Sequence, residues 1–189
     1  MRAVLLTLPF VFLAGCGGPE TSQANNAQAN MSNTASPPAT ATATATVTVT
    51  ADAFSPVTGD EAKSVMHERH EGMEAIGKAN KAIKRGLEAT PPDLATVRAS
   101  AAKIADLSQK AAGWFHAGTG PDVGKTGAKP EIWQNTPDVA AKLAAFQKAA
   151  AAFNSAAAGN DVDAIKGSFG ELGQACKACH DKYRSEMKH

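Results

Sequence analysis

Aromatic side chains are scarce: they make up 5% of the 189 residues, with one Tyr and two Trp. That is thin for a β-sandwich, whose core leans on large rings, and ordinary for an Ala-rich helical protein. An excess of charge of one sign is missing as well. The 19 Lys and Arg stand against 18 Asp and Glu, a formal net charge of +1, which excludes the clustered basic footprint of a nucleic-acid binder. There is no paired-carboxylate constellation, nucleophile motif or phosphate loop, so the chain does not read as an enzyme. The apolar run from Ala3 to Ala14 is about a dozen residues, too short to span a hydrocarbon core of about 30 Å. Cysteine is limited to three residues, and an odd count needs a reason for the one left over. What remains, 43% hydrophobic and 20% charged, is enough for one globular core.

Cys16 accounts for the odd count. Arg2 gives a positive leader, the apolar stretch follows, and the segment closes in Leu13-Ala14-Gly15-Cys16. This resembles a bacterial lipobox, in which residues 1–15 are a signal peptide and the cysteine thiol is lipidated; the alternative is an ordinary signal cut nearby. Lipidation implies a periplasmic protein held at a membrane, because more than one acyl chain gives stable anchoring. Gly17, where an Asp would suggest inner-membrane retention, leans toward the outer membrane.

The other two cysteines lie in Cys176-Lys177-Ala178-Cys179-His180, the C-x-x-C-H pattern of c-type haem attachment. Two thiols about one helical turn apart share a face and can reach the two vinyl groups on one porphyrin edge. The adjoining imidazole is then placed for the iron. A zinc site would want a second ligand pair, which the sequence lacks. A redox dithiol is the remaining alternative, and the export signal and the adjacent His favour haem.

Between these landmarks the composition changes. Residues 16–58 are rich in Ala, Thr, Ser, Asn, Gln and Pro, with Phe54 the one aromatic. The Ala/Thr alternation of Ala39–Ala51 mimics a strand but buries little area, so the segment reads as a low-complexity tether. About 40 such residues reach about 35 Å. The folded domain, 59–189, shows four helical patterns. The first runs from about Asp60 to Ala89 with the seam Met66, Arg69, Met73, Ile76, Asn80, Ile83, Leu87, alternating steps of three and four. The second starts at the cap Asp93 and runs to about Trp114 or Phe115. A long Gly- and Pro-rich loop, His116–Thr136, follows, with Ile132 and Trp133 able to pack back on the core; loops this long are often functional. The third helix has Thr136 as cap and Pro137 at its first position, and Gly159 stops it. The fourth is capped by Asp161 with the seam Ile165, Phe169, Leu172, Cys176, Cys179, Tyr183. The cysteines share the apolar seam, so the haem edge is expected inside the bundle. Gly167, Gly170 and Gly173 weaken this helix, and a close neighbour, helix or porphyrin, would account for them. The expected fold is an all-α, antiparallel four-helix bundle, an architecture that houses cofactors in its core.

A haem motif at the C-terminus of such a bundle resembles the class II c-type cytochromes, the cytochrome c-prime family with its six-coordinate low-spin relatives. Trp114-Phe115 with Gly118-Thr119-Gly120, the element Lys129-Pro130-Glu131-Ile132-Trp133, and Cys176–Arg184 with its trailing Tyr-Arg carry the resemblance over about residues 60–189. It implies thioethers at Cys176 and Cys179 and a proximal iron ligand at His180. It places Arg184 near the proximal side, against a propionate or a proximal ligand, and gives Arg69, a cation on a buried stripe, a haem propionate as partner. Met73 is the candidate sixth ligand, as in some relatives, or else a core side chain packing over an open iron. His70 is a weaker candidate; His67, His116 and His189 read as surface. Two functions follow: a one-electron carrier meeting periplasmic redox proteins, or a protein binding nitric oxide or carbon monoxide at an open distal site. A homodimer burying one face of the first two helices is common in the family.

Overall fold

The computed structural model describes residues 51–186. Helix α1, Gly59–Glu88, begins with Asp60 and Glu61 in its first turn, where carboxylates complement the helix dipole. Its buried residues form two neighbouring rows. One holds Arg69, Ile76, Ile83 and Leu87; the other holds Gly72, Ala79 and Gly86, seven apart. The small row lets other groups approach closely. A Cβ at Gly86 would stand 2.9 Å from Val97 Cγ2 and 3.1 Å from the Asp93 carbonyl. Met66, Met73 and Asn80, expected on the seam, are half-buried.

Helix α2, Leu94–Lys110, is capped by the Asp93 carboxylate, which accepts from the Thr96 N–H at 3.0 Å. A tight 3₁₀ turn, Ala111–Trp114, ends it. In the long loop, Glu131–Gln134 forms the single-turn helix α3. Helix α4, Thr136–Ala158, carries Pro137 in its first turn; its cap is Asn135, one residue before the Thr136 expected. Helix α5, Val162–Tyr183, is capped by Asp161, which accepts from the amides of Asp163 and Ala164.

Side-chain contacts fix the directions. Asp93, just past the end of α1, donates its N–H to the Gly86 carbonyl. Arg98, in the first turns of α2, donates to the carbonyls of Ala157 and Gly159 and to Asn160 Oδ1 at 3.0, 2.9 and 2.7 Å, so it closes the C-terminus of α4. Asp138, at the start of α4, meets Lys182 and Tyr183 at the end of α5. Each neighbour is therefore antiparallel to the last. The packed order is α1 on α2, α2 on α4 and α4 on α5, whereas α1 and α5 do not close on each other in the same way. Among the described residues there is no strand, and no helix is long and apolar enough to cross a membrane.

The packed domain includes residues before the expected boundary at residue 59. A 3₁₀ turn spans Ala51–Phe54, and Ala53 and Val57 are buried. The Val57 N–H donates to the Ala117 carbonyl at 2.9 Å, and Ala117 returns a bond to Phe54 at 3.4 Å. Gly118 makes this approach feasible: its φ is +84°, and a Cβ there would overlap the Val57 carbonyl oxygen. Phe54 and Val57 supply apolar area that the Ala/Thr tract lacks. The signal segment, Cys16, most of the tether and His189 lie outside the described residues.

Candidate functional site

The last three turns of α5 gather the chemistry. Cys176, Cys179 and His180 are all half-buried, and the two cysteines pack against the hydrophobic core as free thiols. Burial pushes both thiols up from their ordinary pKa. At Cys176 the neighbouring Cys179 adds to the rise; at Cys179 the nearby Lys142 opposes it. Burial and then the Arg184 charge lower the pKa of His180, with Asp181 opposing. A neutral imidazole is the form that ligates a metal. Among the described residues no three His, Cys, Asp or Glu side chains converge as a metal cage, which leaves the two cysteines outside any zinc-type site.

The end of α5 is held from two sides. Tyr183 is buried, and its hydroxyl donates to the Asp138 carboxylate, which also accepts from Lys182 Nζ at 2.9 Å. These bonds hold the Asp138 carboxyl below its usual pKa, Tyr183 contributing most. Beyond the helix, Ala128 and Arg184 form an antiparallel bridge, flanked by Lys129 N–H to Tyr183 O at 3.0 Å and Ser185 N–H to Gly127 O at 2.9 Å. The helix therefore stops at Tyr183. Arg184 is an extended, exposed cap, so it does not continue the His180 face of the helix, although its charge still acts on His180.

On α1, Arg69 is 5% exposed. Its Nη1 donates to the Trp114 carbonyl at 2.9 Å and Thr119 Oγ1 at 3.0 Å. Its Nη2 donates to the Thr119 carbonyl at 2.8 Å and Thr126 Oγ1 at 3.1 Å. The guanidinium also lies 5.6 Å from the Phe115 ring and 5.8 Å from that of Trp133. Burial lowers its pKa to about 10, so it keeps its charge at neutral pH, balanced by loop carbonyls, hydroxyls and rings. With all four terminal N–H groups occupied, the donor left for a propionate is Nε–H.

Met73, one turn beyond Arg69, is half-buried and packs against the core. The described histidines other than His180 are turned elsewhere. His67 is exposed; His70 is exposed with Nε2 3.6 Å from Glu74. His116, expected at the surface, is half-buried with Nδ1 3.0 Å from the Ser55 carbonyl. Met73 is thus the soft donor of α1 placed on the inner side.

These residues fit a covalent haem. Two thiols and an imidazole are presented on consecutive turns of one helix, against apolar neighbours, on the helix whose backbone is held closely by α4 and less closely by α1. Gly167, Gly170 and Gly173 take no part in close packing: each is exposed, and a Cβ at any of them would meet nothing within 4 Å. The glycine whose bareness matters is Gly72, where a Cβ would overlap the Trp114 indole. Sequence reasoning passed over it, although it lies three residues from Arg69 on the buried side. It also missed Thr119 and Thr126, since hydroxyls in a loop carry no periodicity.

Comparison with known proteins gives the same reading. A family model described as Cytochrome C' matches residues 64–184. A cytochrome c' from Allochromatium vinosum is 38% identical over 121 residues, which is 62% of this chain and 78% of that protein. The crystal structure of cytochrome c' from Thermochromatium tepidum superposes with a TM-score of 0.62 at 33% identity, covering 66% of this chain and 97% of that one. A ferrous variant of cytochrome c prime from Alcaligenes xylosoxidans, solved with bound NO, gives a TM-score of 0.58 at 26% identity, covering 67% and 97%. The all-helical bundle, the C-x-x-C-H on its last helix and these matches agree: the chain belongs to the cytochrome c' family, whose members bind one covalent haem c.

Proposed function

We propose that the protein is an exported one-electron carrier, lipid-anchored through Cys16 on the periplasmic side and meeting soluble redox partners within reach of its tether. The observation that supports this most is the half exposure of Cys176, Cys179 and His180. A group held there has an edge at the molecular surface, where a partner can approach. Haem c supplies a one-electron iron couple when bound. The chain's own residues then have distinct roles. Cys176 and Cys179 fix the group to α5. His180 provides a nitrogen donor, and Arg184 adds positive charge beside it. Met73 offers a thioether from α1, and Arg69 stiffens the turn below it while keeping Nε–H for a propionate. Were Met73 and His180 both to bind the haem iron, the thioether would favour the reduced form and raise the potential.

The second reading, binding of a small gas, draws on the relative solved with nitric oxide and on the same Met73 acting only as an apolar lid. The optical spectrum and potential of the holoprotein separate the two, with Met73→Ala as the variant. The carrier reading expects a low-spin wild type that becomes high-spin in Met73→Ala, with a lower potential and ready binding of carbon monoxide. A high-spin wild type that takes up nitric oxide tightly, and a variant of unchanged spin state, would move the assignment to gas binding.

A further inference from the structure

Thr126 sits where two otherwise separate parts of the site meet. Its half-buried hydroxyl oxygen accepts from Arg69 Nη2 at 3.1 Å and from the Ala128 backbone N–H at 3.2 Å. Arg69 belongs to α1, one turn before Met73. Ala128 belongs to the three-residue strip that pairs with Tyr183–Ser185, directly after the C-x-x-C-H segment. The hydroxyl therefore ties α1, which carries Met73, to the strip 127–129, and that strip's own backbone bonds hold the end of the helix that carries His180. This link joins α1 and α5 where their backbones approach each other less closely than those of the other neighbouring helices.

We propose that Thr126 is a positioning residue that ties α1 to the last turn of α5 and thereby sets the spacing between Met73 and His180. The inference rests on the proposal above that Met73 and His180 are the residues of α1 and α5 that would hold the haem iron. A hydroxyl is well suited to this link, since its oxygen has two lone pairs and accepts both donors at once. Valine has the same shape and neither acceptor, so it leaves an arginine N–H and a backbone N–H without a partner. Serine keeps the oxygen and loses only the methyl group.

The test uses the haem-loaded, full-length protein as wild type, Thr126→Val, Thr126→Ser and Arg69→Gln. Three quantities are read: the association rate of carbon monoxide with the ferrous form, the reduction potential, and amide hydrogen exchange at Lys129 and Ser185. Thr126→Val is expected to change the association rate severalfold and shift the potential, and Thr126→Ser to restore both. Arg69→Gln is expected to speed exchange at Ser185, although Arg69 makes no hydrogen bond to it. Thr126→Ala adds no bulk and carries the expectation of the valine variant, so a misfolded valine chain leaves the test standing. Wild-type gas kinetics and potential in Thr126→Val or Thr126→Ala, alongside faster exchange, would overturn the proposal, because the hydroxyl would then only stabilise the loop. The carrier reading fails separately, on a high-spin wild type. A severalfold rate change in Thr126→Val would still support the link in that case.

Discussion

Gly72 shows how one missing atom shapes the site. The Trp114 indole occupies the space a Cβ would need, and the Trp114 carbonyl in turn accepts from Arg69 three residues away. Gly72→Ala is expected to destabilise the holoprotein by about 1–3 kcal/mol through overpacking, read as a lowered melting temperature, even though alanine is the better helix former. An unchanged or raised melting temperature would contradict the packing described. At this scale the sequence was partly legible. Cys176, Cys179 and His180 announce themselves by chemistry and spacing, and Arg69 by being a cation on an apolar stripe. Arg69's partners were not legible, because two of them are backbone carbonyls of a loop, groups that every residue carries and no side-chain pattern marks.

Helices were the most readable elements, since their signals are local. Asp93 and Asp161 cap α2 and α5 as their positions before an apolar period imply. The end of α4 depends on something no local rule covers. Its final carbonyls are closed by Arg98 from another helix, a cation at the negative end of a helix dipole. Arg98→Ala is expected to cost about 1–2 kcal/mol, and Arg98→Lys to recover only part of that, because an ammonium does not reproduce the planar fork. Chemical denaturation of the three holoproteins checks the order. Equal midpoints would show that Gly159 alone terminates α4. The boundary of the N-terminal segment was misplaced for a related reason: Phe54 and Val57 gain their partners from a loop some sixty residues away, which composition read along the chain does not reveal.

Across the described residues, the closest helix pairs are α1 with α2, α2 with α4 and α4 with α5, while α1 and α5 approach each other less closely. Within α5 only Ile165, Leu172 and Tyr183 are fully buried, little apolar area to hold a 22-residue helix that also carries three exposed glycines. Haem is expected to complete the packing of this helix. Replacing Cys176 and Cys179 together by Ala should give a chain with faster amide exchange throughout α5, lower helicity and a broader melt, while α2 and α4 keep more of their protection. A haem-free double variant with native helicity and a native melt would show that the polypeptide core suffices. The bundle itself could be read from pattern and connection lengths. The looser approach of α1 and α5 could not, because no side-chain pattern marks the distance between two helices.

The first described residues and the last lie at the same pole. Phe54 and Val57 are pinned to Ala117, Ser185 is pinned to Gly127, and both partners belong to the loop over the C-terminal end of α5. A restraint applied at Phe54 or at Ser185, whether a fusion partner or a linker to an electrode, therefore pulls on the pole that carries the thiols and the imidazole. The opposite pole carries a groove of about 640 Å³ between Lys84, Leu87, Lys166 and Phe169. Immobilisation at either of the two positions holds the molecule by the same pole, and the choice between them does not reverse the orientation of Cys176, Cys179 and His180.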